Sequence, residues 1–177
     1  MPRFDAIVTA SGSGGTHSGL VAGFKALRCN IPILGISTRH PKEVQTEHIH
    51  GLALKTYRHV LDDASAELPV DAVTVYDEYV GPGYSLPTQE MAEAVTLFAR
   101  TEGILLDPVY SGKAAAGFLD LVRKGAFPPG ANVLFLHTGG APTLYHYQPL
   151  APAVSAPTNA KMLSTQEKDG QEEKKSN

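Results

Sequence analysis

The chain has 177 residues, 42% apolar and 19% charged, the make-up of an ordinary globular domain. Fifteen Lys and Arg stand against 18 Asp and Glu, a net charge of −3, which excludes the global basic footprint of a nucleic-acid or anionic-membrane binder. A single cysteine, Cys29, excludes an internal disulfide framework and a cysteine-rich zinc site.

Residues 4–9 read as a first buried strand, rich in apolar and β-branched side chains. A loop of Ser11, Gly12, Ser13, Gly14, Gly15 and Thr16 follows and opens a helix in which Leu20, Gly23, Phe24 and Leu27 recur at helical spacing. Glycines there allow a tight turn, and the free amides and dipole of a helix start favour an anion. Ser11, Ser13 and Thr16 add hydroxyls, so the loop is suited to a phosphate or carboxylate, or is a plain turn. It is not a P-loop, because no Gly-Lys-Ser/Thr follows, and no acid ends the next strand as a dinucleotide fingerprint requires.

A second strand spans residues 31–37, and residues 42–61 form a longer, polar surface helix whose His48, His50 and His59, like His40 just before it, are expected in solvent. A third strand, residues 72–76, leads into the loop Asp77-Glu78-Tyr79-Val80-Gly81-Pro82-Gly83-Tyr84-Ser85-Leu86-Pro87. Thr88 is a natural N-cap for the next helix, with Met91, Val95, Phe98 and Glu102 on one stripe. Tyr110 stands just before a further helix, with Ser111 as its expected N-cap and Ala114, Gly117, Phe118, Leu121 and Val122 as its inner face. Gly125 and Pro128 end that helix. Taken alone, Tyr84 and Tyr110 read as packed, half-buried tyrosines rather than as pocket residues. A last strand, residues 132–137, runs into Thr138, Gly139 and Gly140, where Thr138 can reach a ligand beyond the strand end. His17, His137 and His146 are not at metal-ligand spacing, so no metal is expected.

Strands alternating with helices predict an α/β fold with a parallel sheet covered by helices on both faces. Residues 1–150 form the domain. Residues 151–177 are a polar stretch with too little apolar surface to order, read as a disordered tail. No segment reaches the ~20 apolar residues of a membrane span. No secretory pattern opens the chain, so membrane association is not expected and cytoplasm is the expected location.

Four segments, SGSGGTHSG (11–19), DEYVGPGYSLP (77–87), EGILLDPVYSGKAAAG (102–117) and LFLHTGGAP (134–142), together resemble the D-cysteine desulfhydrase and 1-aminocyclopropane-1-carboxylate deaminase family. These are pyridoxal-phosphate enzymes of the tryptophan-synthase-β fold (fold type II), and the resemblance runs in order over residues 4–147. It implies that Ser11, Gly12, Ser13, Gly14, Gly15 and Thr16 cradle the phosphate of pyridoxal 5'-phosphate. It implies that Thr138 partners the pyridine nitrogen and that Tyr84 and Tyr110 are the catalytic tyrosines near a small amino-acid substrate. Within the family, Ser111 and Thr138 lean toward the desulfhydrase, since the deaminases carry an acid and an apolar residue there. The implied reaction converts D-cysteine to pyruvate, hydrogen sulfide and ammonia. The deaminase reaction and a non-catalytic, phosphate-binding fragment are the alternatives.

Full-length members are about twice as long, and their Schiff-base lysine lies in a Gly-Asn-Lys segment that this sequence lacks. Lys113 matches a family position after the tyrosine, but not that lysine. The chain is therefore expected to be the C-terminal portion of the enzyme. It would act with a missing N-terminal half, or as a homodimer in full-length form, and expose an apolar face where that half packs.

Overall fold

The computed structural model describes residues 4–147, so the expected disorder of 151–177 lies outside the described residues. Four parallel strands, β1 (Ala6–Ser11), β2 (Ile33–Ser37), β3 (Thr74–Tyr76) and β4 (Val133–Leu136), form one sheet in the order β3-β2-β1-β4. Register aligns Ser11 with Ser37 across β1 and β2, and Thr9 with Leu136 across β1 and β4. Among the helices, α1 (Gly15–Ala26) and α2 (Lys42–Leu61) follow β1 and β2, and α3 (Gln89–Glu102) and α4 (Ser111–Arg123) lie between β3 and β4.

Alternation along β1 divides the core. Ile7 points into a cluster with Val21 of α1, Ile49 and Ala53 of α2, Ile33 and Val75. Ala6, Val8 and Ala10 point the other way, to Ile36 and to Ala114 and Leu121 of α4. All six β1 residues are buried, which is why this strand reads as a continuous run rather than an alternation. Each fully buried Ile or Val of this kind contributes roughly 1.5–3 kcal/mol.

The second face is two helices deep. Met91, Ala94 and Val95 of α3 pack on Ala115 and Ala116 of α4, so α4 is squeezed between α3 and the sheet. Its small residues permit this. A side chain at Gly117 would meet Ile36 and Tyr79 at 2.9 Å, and one at Gly112 would meet the Asp107 carbonyl at 2.6 Å. The sequence-predicted inner face of α4 therefore needs correction: Ala115 and Ala116 are buried as well, and Val122 is exposed. In α1 the buried residues are His17, Ser18, Val21 and Ala22, while Leu27 projects into solvent. A one-face stripe cannot anticipate this, because a histidine takes a core position. The Thr88 cap is as expected: its hydroxyl accepts from the Met91 amide at 3.2 Å. Exposed apolar residues include Leu27, Val60, Leu105 and Tyr145, and the edge strand β4 is half-buried along its length. No described helix is long and apolar enough to cross a membrane.

Candidate functional site

From β1 the chain winds outward through β2 to β3, then returns to β4 on the other side of β1. The gap between the carboxyl ends of β1 and β4 is thus the topological switch point, where parallel sheets bind ligands. The glycine loop leaves β1 there, and Thr138 follows β4. Gly12, Ser13, Gly14, Gly15, Thr16, His17, Tyr110 and Thr138 line one cavity of about 70 Å³ at this point. That is room for roughly two waters, the scale of one small anionic group.

The loop is held so that its amides face out. Gln45 on α2 donates to the Gly12 carbonyl at 2.9 Å, and His48, one turn on, donates to the Ser13 carbonyl at 2.9 Å. The first helical bond of α1 is from the Ser18 amide to Gly14, at 2.8 Å. The amides of residues 13–17 have no acceptor among the described residues. With its carbonyls drawn back and its amides free, the loop is an anion site at a helix start. Gly14 has φ 94°, and a side chain on it would meet Ile49 at 2.8 Å, so glycine is required here. Around Gly15 the space is open.

Ser11 sits differently from the rest of the predicted cradle. It is fully buried, does not line the cavity, and accepts from Gln45 at 3.0 Å. Its own proton then goes to His17 Nδ1, 3.0 Å away. This chain fixes His17 as the neutral tautomer with hydrogen on Nε2, an atom with no partner among the described residues. Gly35 of β2 makes room for the ring, since any side chain there would overlap it. Burial pulls the His17 pKa down to about 4. An unfolded histidine near 6.5 takes up a proton that the folded one refuses. Stability is therefore full above about pH 6.5 and falls by about 3 kcal/mol as pH drops toward 4. Urea midpoints across that range should fall more steeply for the wild type than for His17→Gln. Parallel slopes would show that His17 does not control the acid limb.

His48 and His59 of α2 are exposed as expected, although His48 also holds Ser13. His50 departs from the expectation: it is half-buried and donates to the Leu68 carbonyl at 2.7 Å. A polar helix conceals such roles, because a side chain bonded to a distant loop carbonyl reads in sequence like one in water.

Tyr110 reaches the cavity from the start of α4. A side chain on Gly12 would meet its ring at 2.7 Å, so loop and phenol are in close contact. Tyr84 lies outside the cavity, but its hydroxyl bonds that of Tyr110, with the rings edge to face at 5.9 Å. The Arg39 guanidinium covers the other side of Tyr84 at 5.2 Å. The bond from Tyr84, helped by burial, pushes the Tyr110 phenol up to about 12. The Tyr110 phenol therefore keeps its proton near neutral pH and acts as a hydrogen-bond donor rather than a base.

Asp107, in no predicted role, builds this corner. Its carboxylate accepts from the amides of Val109 and Tyr110 at 2.8 Å and of Ser111 at 2.7 Å, and from the Ser111 hydroxyl at 2.6 Å. Ser111 is thus not the N-cap; Tyr110 holds that position, and Ser111 is spent on Asp107. An acid three residues before a helix cap is a legible signal for this arrangement. Gly140, at φ 90°, lies against Asp107, where a side chain would come within 2.9 Å of its Cβ. Asp107 thereby joins the Thr138 loop to the Tyr110 turn.

Among the described residues no lysine lines the small cavity, and no group of three His, Cys, Asp or Glu is placed for a metal. A second cavity, about 610 Å³, lies between α3 and α4 over Ala94, Leu97, Ala116 and Leu119, and is lined by none of the predicted site residues.

The chain is similar to known proteins in sequence and fold. A family described as pyridoxal-phosphate dependent enzyme matches residues 1–139. A crystal structure of an ACC deaminase homologue superposes with a TM-score of 0.69 at 40% identity, over 81% of this chain and 42% of that one. The chain spans about two fifths of that protein's length.

Proposed function

The chain belongs to the pyridoxal-phosphate dependent enzymes, and from that membership we propose that it forms the phosphate cradle and substrate wall of a lyase resembling D-cysteine desulfhydrase. With one water, D-cysteine would give pyruvate, hydrogen sulfide and ammonia. The observation that carries the reading is the set of acceptor-free amides at residues 13–17, around a cavity shared with Thr138 and Tyr110.

These residues fit the cofactor. The amides, with the Ser13 and Thr16 hydroxyls, suit the phosphate ester, and the Thr138 hydroxyl suits the ring nitrogen. When bound, the cofactor supplies an electron sink for charge developing at the substrate Cα. A hydroxyl at Thr138 does not hold that nitrogen protonated as a carboxylate would, which moderates the sink and suits β-elimination. Tyr84 and Tyr110, joined hydroxyl to hydroxyl, would hold a proton toward the substrate. Arg39 over Tyr84 fixes the ring and adds positive charge suited to a substrate carboxylate.

A second reading, opening of the cyclopropane amino acid to 2-oxobutanoate and ammonia, is favoured by the 40% identity to an ACC deaminase homologue. Ser111 weighs against it, because its hydroxyl is committed to Asp107 and it offers no acid beside Tyr110. On either reading the lysine that binds the cofactor covalently comes from outside residues 4–147, from a second chain or another segment.

The test is a visible spectrum of the purified chain with pyridoxal phosphate, followed by borohydride reduction and intact mass. Binding competed by inorganic phosphate, with no single adduct inside residues 4–147, is expected. One adduct mapped to Lys113 would overturn this account. Supplied with the missing lysine by a full-length relative, the protein should release sulfide from D-cysteine; 2-oxobutanoate from the cyclopropane amino acid would select the second reading.

A further inference from the structure

Lys113 is the largest fully buried side chain among the described residues. Its Nζ donates to the carbonyls of Val80 at 2.7 Å and Gly83 at 2.9 Å, and no carboxylate pairs with it among the described residues. A buried ammonium is costly, and a methionine would fill the space without charge. Its position therefore calls for a reason beyond packing.

The two carbonyls belong to the loop that presents Tyr84. That loop has little structure of its own: Gly81 and Ser85 have φ of 66° and 63°, and Ser85 is a non-glycine residue in the left-handed region. The hydroxyl of Tyr147 holds the Ser85 carbonyl at 2.8 Å from the far side. On the near side the hold is Lys113, one helical turn beyond Tyr110. One turn of α4 thus carries one phenol and the ammonium that fixes the loop of the other.

We propose that Lys113 is a positioning residue: its buried ammonium ties the Val80 and Gly83 carbonyls to α4 and so sets the Tyr84 hydroxyl against that of Tyr110. What the tyrosine pair serves rests on the function proposed above; the clamp itself does not, and it is read on the chain without cofactor.

Two measurements test it. In ¹⁵N-lysine-labelled wild-type chain, one ammonium should show protons protected from exchange with water; a full set of fast-exchanging ammonium groups would overturn the clamp. This needs no variant, so it decides the matter even if Lys113→Met does not fold. Phenolate absorbance after a pH jump reads the consequence. In the wild type the bond from Tyr84 should hold the Tyr110 midpoint up, at about 12, and Tyr84→Phe should bring it toward the ordinary value of about 10. Lys113→Met should produce the same fall. A midpoint that stays near the wild-type value in Lys113→Met while falling in Tyr84→Phe would show that the loop holds itself. Neither readout depends on turnover, so loss of the clamp and loss of the lyase reading are separate results.

Discussion

Replacing Asp107 by alanine should lower the unfolding free energy by roughly 3 kcal/mol or more, since each buried donor left without a partner costs about 1–3 kcal/mol and four donors are affected. The side chain is 1% exposed and serves three amides and one hydroxyl. Alanine leaves all four donors in a space sealed by Gly140 and the first turn of α4. Asp107→Asn keeps the shape but turns one N–H toward donors, so its loss should fall between those of wild type and alanine. Denaturant midpoints with unchanged m-values would give both numbers. Since a whole domain is stable by only about 5–15 kcal/mol, the alanine variant should be near the edge of folding. An alanine variant within about 1 kcal/mol of wild type would mean that water satisfies the turn and that Tyr110 is placed by something else.

The same residue shows what the sequence makes legible. Strands and helices are plain because their periodicity reports burial, and α2 has the predicted bounds, Lys42–Leu61. The glycine loop is legible because its chemistry lies in backbone amides, which only a few residue types expose. The supports of the site are not legible in this way. Gln45, His48, Lys113 and Asp107 act on backbone groups 33, 35, 33 or 30, and 2 to 4 residues away. No local pattern records the distant pairs. A polar side chain bound to a carbonyl in the interior has the same sequence signature as one in water. Ser11 is the converse case: it belongs to the motif, yet folding turns its hydroxyl inward to His17.

Gly15→Asp should separate the stability of the protein from its ligand. Residue 15 is the first of α1, exposed, with open space where a side chain would project, and α1 has no acid in its first turn. A carboxylate there faces the positive end of the helix and should stabilise the fold by roughly 0.3–1 kcal/mol. The same charge stands beside the amides of residues 13–17, which are to receive the cofactor's phosphate. At an effective dielectric near 20, two unit charges ~6 Å apart repel by about 3 kcal/mol, a loss of roughly a hundredfold in affinity. Thermal unfolding and titration with pyridoxal phosphate should therefore move in opposite directions. Gly15→Asn, similar in size without the charge, should keep most of the binding and separate repulsion from blockage. If Gly15→Asp binds pyridoxal phosphate as the wild type does, the phosphate lies elsewhere, and the free amides of α1 need another anion. If it loses both binding and stability, the loop conformation has changed, and Gly15→Asn alone decides whether the cradle accepts a side chain. The expected pair, a firmer helix with an empty cradle, would show that these amides, open because α2 holds the carbonyls beside them, receive the phosphate.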